Sequence, residues 1–105
     1  MRILEFNVSA QRLSKKSVNS FLRIVRGSKQ YLQAKFNFSD DWSGMAKVAE
    51  FCPKTSSETF SVLIKDDICM VPDEVTDDNV WYIRLVGKKG ETYICTNELK
   101  IKQEG

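Results

Sequence analysis

The chain has 105 residues, 42% of them hydrophobic and 29% charged, with a formal net charge of +2 and no histidine. That length supplies one hydrophobic core and is too short for two, so a single domain over residues 1–105 is expected. No apolar run reaches the ~18 residues a membrane-spanning helix needs, and the three cysteines, odd in number and without a Cys-x-x-Cys, specify neither a disulfide framework nor a zinc site.

In chain order, period-two patterning dominates. Leu4, Phe6 and Val8 share one face of a first strand, and Leu22, Ile24 and Val25 are read as a second. Leu32, Ala34, Phe36 and Phe38 give the third strand a clean apolar face opposite Tyr31, Gln33, Lys35 and Asn37. Further strands are expected over residues 45–51, 60–65, 68–71, 80–86, 91–96 and 99–102. In the strand at 80–86, Trp81, Ile83 and Leu85 face one way while Tyr82 and Arg84 face the other. The pattern predicts an all-β, antiparallel β-sandwich, Ig-like or jelly-roll-like, with no helix longer than about two turns. The expected core is Leu4, Phe6, Ile24, Leu32, Phe36, Phe38, Val48, Phe51, Val62, Trp81, Ile83, Leu85 and Ile101.

Turn chemistry supports consecutive antiparallel strands. Asp66-Asp67 sits between two apolar runs as a two-residue hairpin loop, and Gly87-Lys88-Lys89-Gly90 offers glycines for positive φ. Pro72 must end a strand because it cannot donate to a ladder, and Val71-Pro72-Asp73-Glu74-Val75 fits a turn or a single helical turn.

The near-neutral total hides a split. Residues 1–38 hold eight Lys or Arg against one acid, whereas residues 39–105 hold eight against thirteen. In the basic half, Lys15, Lys16, Arg23, Arg26 and Lys29 surround Gly27-Ser28, whose amides can form an anion-binding nest, with Tyr31 and Phe21 nearby for stacking. These residues, Tyr31 included, form the candidate binding site, for a protein surface in the first place and a nucleic acid or nucleotide in the second. Acidic doublets mark the other half; Asp40 and Asp41 adjoin Trp42, which either plugs the end of the sandwich, the favoured reading, or anchors an interface. None of the doublets has the spacing of a calcium loop.

The run Phe36-x-Phe38-Ser39-Asp40-Asp41-Trp42-Ser43-Gly44, then Lys47, Ala49 and Phe51, then Val71-Pro72-x-Glu74-Val75, then Tyr82-Ile83-Arg84-Leu85-Val86-Gly87 and Thr96, resembles a β-sandwich module found at the N-terminus of tail or baseplate (baseplate-upper-protein-like) proteins of phages of Gram-positive bacteria. The resemblance covers residues 31–102 and leaves the basic segment 9–30 unassigned. It implies a non-catalytic structural or protein-binding component of a virion, capable of homo-oligomerisation. Two departures, the end of the chain after one module and the basic segment 9–30 outside the pattern, together with the polarised charge, weigh toward a second class, a phage accessory anti-defence protein that binds a host factor such as a nucleic-acid-guided nuclease or a signalling nucleotide of a defence system. Met1-Arg2-Ile3-Leu4-Glu5 meets charge too early for a signal peptide, so location in a virion or the host cytoplasm, without membrane attachment, is expected. No catalytic motif replaces the missing histidine, and no enzyme activity, metal or cofactor is expected.

Overall fold

A computed structural model describes residues 1–105 and contains nine strands: β1 (Arg2–Ser9), β2 (Arg12–Lys15), β3 (Leu32–Phe38), β4 (Ala46–Pro53), β5 (Phe60–Ile64), β6 (Ile68–Met70), β7 (Val80–Lys89), β8 (Thr92–Cys95) and β9 (Leu99–Lys102). One helical turn, α1 (Asp73–Thr76), follows Pro72. The strands form two facing sheets, one of order β2-β1-β3-β6 and one of order β5-β4-β7-β8, with β9 beside β8 on the same edge of β7. The fold is a β-sandwich dominated by antiparallel pairs, and it has no helix long and apolar enough to cross a membrane.

Alternation in each strand points one set of side chains inward. Leu4, Phe6 and Val8 of β1 lie in register with Ala34, Phe36 and Phe38 of β3, and the opposite layer contributes Ala49, Phe51, Trp81, Ile83 and Leu85. Stacked Phe6 and Phe36 (5.2 Å between centroids) begin an aromatic line that continues through Phe38 to Trp42. Phe38, expected in the core, is only half-buried, and Lys47 Nζ lies over its ring at 5.0 Å.

The structure departs from the sequence reading in several places. Residues 22–25 form no strand; the second strand is Arg12–Lys15, which returns along β1 as a hairpin. β1 and β3 run parallel, and parallel neighbours require a long crossover rather than a tight turn. Residues 16–31 are that crossover. Val48 faces outward because its neighbours Ala49 and Phe51 occupy the inward positions, and Val62 is half-buried. Gly87 lies inside β7 rather than in a turn, and Gly90 alone supplies the positive φ there, at 59°. The Asp66-Asp67 loop does adopt the left-handed conformation at both residues (φ 55° and 63°) and carries the chain from one sheet to the other.

Both corners of the sandwich are stitched. At one, Lys65 and Ile68 exchange backbone hydrogen bonds around the Asp66-Asp67 turn. At the other, Asn97 lies in the break between β8 and β9, where its side chain binds the backbone of Leu13 on β2. Thr96 spans the same break: its N–H donates to the Leu85 carbonyl, and its Oγ1 accepts from the Leu85 N–H at 2.9 Å.

Candidate protein-binding surface

The crossover 16–31 is held by two inward side chains and one cation. Phe21 packs edge-on against Phe6 at 5.1 Å, and Ile24 is 2% exposed. From β1, the Arg2 guanidinium donates to the carbonyls of Ser20, Leu22 and Arg23, three acceptors that the irregular backbone leaves unpaired. Further along, the Arg26 N–H donates to the Glu104 carbonyl, while the Glu104 N–H donates to that of Ile24.

With positions 21 and 24 directed inward, the other aliphatic residues of the crossover project outward. Val18, Leu22 and Val25 are 65%, 53% and 59% exposed, and Met1 and Tyr31 are exposed beside them. This is a ridge of aliphatic side chains on a long, tied-down loop. Isolated exposed apolar residues are ordinary, whereas three within eight residues of one hydrogen-bonded loop make this segment a candidate contact surface.

The cations of this region have different partners. Lys16 Nζ lies 3.5 Å from Glu5, and Lys15 Nζ sits over the Phe21 ring at 5.1 Å. Lys29 pairs with Asp77 at 2.8 Å and donates to the Asp73 carbonyl. The Gly27 N–H is spent on the Thr76 carbonyl at 2.7 Å, so it is no donor for an anion nest. Arg23, in the left-handed conformation at φ 57°, and Arg26 have no ion-pair partner and flank Leu22 and Val25. Tyr31 is exposed, and its carbonyl accepts from the Arg2 N–H.

Asp40 and Asp41 are exposed at the start of a short 3-10 turn, with Ser39 Oγ donating to Asp41. Trp42 is 0% exposed and its Nε1–H donates to the Ala10 carbonyl at 2.8 Å. It is therefore the plug; as an exposed interface anchor it is excluded by burial.

A second surface, which the sequence reading did not single out, is the outer face of the five-stranded sheet. Registers place Leu63, Val48, Val86 and Cys95 in one row across β5, β4, β7 and β8. Next to this row is a shallow depression of about 510 Å³ lined by Glu50, Cys52, Ser61, Tyr82, Arg84 and Glu98, among others. Arg84 Nε donates to Glu50 Oε1 at 2.6 Å, and that bond holds the guanidinium pKa above its ordinary value despite the opposing effect of burial. The central charges thus satisfy each other.

No protein-family model matches this chain, and no curated protein matches it.

Proposed function

We propose that this chain is a non-catalytic protein-binding module of a phage tail or baseplate, and that it engages its partner through the crossover 16–31. The observation that carries the reading is the exposed ridge of Val18, Leu22 and Val25, held rigid by Arg2, Phe21 and Ile24. A preordered loop gives up little conformational freedom on binding, and aliphatic side chains flanked by arginines match the composition of protein interfaces. The tail or baseplate assignment rests on the sequence blocks around Trp42, Pro72 and Tyr82 and on the two-sheet architecture they share with such modules.

The test is the composition of purified particles. The protein should be present in virions at fixed stoichiometry, and Leu22→Glu with Val25→Glu should remove it from them without lowering its melting temperature. A second reading, an accessory anti-defence inhibitor, is favoured by the unpaired Arg23 and Arg26, which suit an acidic host surface. Absence from virions, with recovery of a host nuclease or defence protein that the same substitutions abolish, would replace the first reading with the second.

A further inference from the structure

We propose that the outer edge of β5 is a strand-addition site, and that its occupant is β5 of a second copy of this chain, paired antiparallel across a twofold axis at Ser61. The inference goes beyond the reading above, because this edge is a different surface from the crossover 16–31.

Hydrogen-bond alternation identifies the free groups. Lys54, one residue past β4 and in the same register, donates its N–H to the Val80 carbonyl, so even positions of β4 bond β7 and the odd positions Lys47, Ala49 and Phe51 bond β5. Their partners Ile64, Val62 and Phe60 are thereby satisfied, and the N–H and C=O groups of Ser61 and Leu63 point away from the sheet. Lys65 follows the same alternation and exchanges its outward bonds with Ile68, which bounds the edge at that end. No hydrogen bond reaches the backbone of Thr59, Ser61 or Leu63 from the outer side, and all three residues are exposed.

Every other edge of the sandwich is short and protected. β2 carries Arg12 and Lys15 and is clasped by Asn97 at Leu13; β6 has three residues and is bridged to Lys65. The Cys95 carbonyl of β8 accepts from Gln11, and β9 carries Lys100 and Lys102 and leads into Glu104, which bonds Ile24 and Arg26. β5 is the longest edge strand, and Phe60-Ser61-Val62-Leu63-Ile64 contains no charge, proline or glycine. It lacks the devices by which edges are kept from pairing.

Outward donors and acceptors at this spacing are matched by another extended backbone, and β5 is its own complement. With Ser61 opposite its copy, Thr59 falls opposite Leu63 and Leu63 opposite Thr59, so the free groups of one copy meet those of the other. On the core side Phe60 falls opposite Val62; both are only half-buried, and pairing covers them. Glu58 falls opposite Ile64 and Lys65 opposite Ser57, so no charge faces a like charge. The contact is isologous and closes as a dimer, with one sheet running through both copies.

Sedimentation velocity across a concentration series tests this with Ser61→Pro and Ser61→Lys. Proline removes a donor that the fold leaves free, and lysine sets two ammonium groups against each other at the axis. The parent is expected to dimerise and to remain dimeric at high salt, because backbone pairing is not a charge effect, whereas both variants are expected to be monomeric with the melting temperature of the dilute parent. Under mild oxidation Ser61→Cys is expected to form a covalent dimer, since directly opposed residues have Cα atoms about 5.5 Å apart, within disulfide range. Leu63→Cys, offset from its own copy along the strands, and the parent, which keeps Cys52 and Cys95, are expected not to.

A parent that stays monomeric at high concentration overturns the proposal and leaves the edge to a strand of a different chain. A dimer that survives both Ser61 substitutions overturns it too, as does one that Leu63→Cys cross-links and Ser61→Cys does not. Should Ser61→Pro melt early, Ser61→Lys and the cross-link decide. None of these results bears on the virion composition, which tests the reading above.

Discussion

The side-chain amide of Asn97 clasps the backbone of Leu13 from both sides: its Oδ1 accepts from the Leu13 N–H at 2.7 Å and its Nδ2 donates to the Leu13 carbonyl at 3.1 Å. One residue thus does what a paired strand would do for β2, a four-residue strand otherwise hydrogen-bonded only to β1. Gln11 reinforces the junction by accepting from the Asn97 N–H at its carbonyl and donating from its side chain to the Cys95 carbonyl. Replacing Asn97 with Ala strands the Leu13 donor in a part-buried position. The expected cost is about 2 kcal/mol, two modest hydrogen bonds plus part of a desolvation penalty. Denaturant titration measures it, and hydrogen exchange at the Leu13 amide should accelerate more than exchange in β7.

Gly87 and Trp42 are a comparable pair at the opposite layer. A Cβ at position 87 would lie 2.7 Å from Trp42 Cζ3 and 2.9 Å from Met45 Sδ, both closer than packed atoms allow. Trp42 is fully enclosed, hydrogen-bonded through its indole and fixed against Phe38, so it has little room to withdraw. Gly87→Ala is therefore expected to destabilise by about 1–3 kcal/mol through overpacking. Equilibrium unfolding followed by tryptophan emission checks this, with a shift in the native spectrum as Trp42 is displaced.

Much of the fold can be read from the sequence because alternation is strict where both neighbours agree. In Leu32 to Phe36 and in Trp81 to Leu85 each large apolar residue is followed by a polar or smaller one, and the faces come out as expected. At Val48-Ala49 two apolar residues stand side by side, and size favours the wrong one; the inward face is set by Phe51, two positions beyond Ala49. The β2 strand is illegible because Arg12-Leu13-Ser14-Lys15 offers a single apolar residue and owes its place to β1 and Asn97. Parallel pairing of β1 with β3 is likewise a tertiary property with no local signature.

The candidate surface carried a signal that a strand reading of Leu22 and Ile24 obscures. Phe21 and Ile24 are three apart, a spacing no strand face allows, and both are buried while Leu22 and Val25 are not. Cations at positions 23 and 26 within the same run are consistent with that division. The outer-face row of Leu63, Val48, Val86 and Cys95 has no such signal, because it exists only once registers align residues distant in sequence.

The Asp66-Asp67 turn leaves room for improvement. Both residues hold positive φ, which a Cβ makes costly, and the preferred pair for this geometry ends in glycine. Asp67→Gly is expected to stabilise the protein by about 0.5–1 kcal/mol, since the strain relieved exceeds the added freedom of the unfolded chain. Thermal denaturation should show a raised midpoint; a lowered one would mean that the Asp67 carboxylate makes a compensating contact.

The three cysteines should separate cleanly in reactivity. Cys69 is 5% exposed on β6, and burial pushes its thiol up to about 12, so neither access nor thiolate is present in the native state. Cys52 and Cys95 are partly exposed and free. Under native conditions a thiol reagent is expected to modify these two, with Cys69 labelled only at the rate of global unfolding. Mass spectrometry of timed samples, with and without denaturant, distinguishes the sites.

Acid should loosen the crossover end before it unfolds the sandwich. Asp73 accepts from the backbone N–H of Gln30 at 2.9 Å and from its side chain, and these bonds, with Lys29 nearby, hold its pKa below the ordinary 3.8. Asp78 is lowered likewise, chiefly by the Thr55 hydroxyl at 2.6 Å and then by the Thr55 N–H. A carboxylate whose folded pKa is depressed adds stability that is complete above its unfolded pKa and disappears as pH falls through the folded value. The urea midpoint should therefore hold steady well above pH 3.8 and decline below it. Asp73→Asn and Asp78→Asn together should flatten that decline while lowering the plateau. Amides of residues 26–31 and 54–56 should lose exchange protection in acid ahead of those in β4 and β7, because the two carboxylates tie down those loops and leave the core strands untouched.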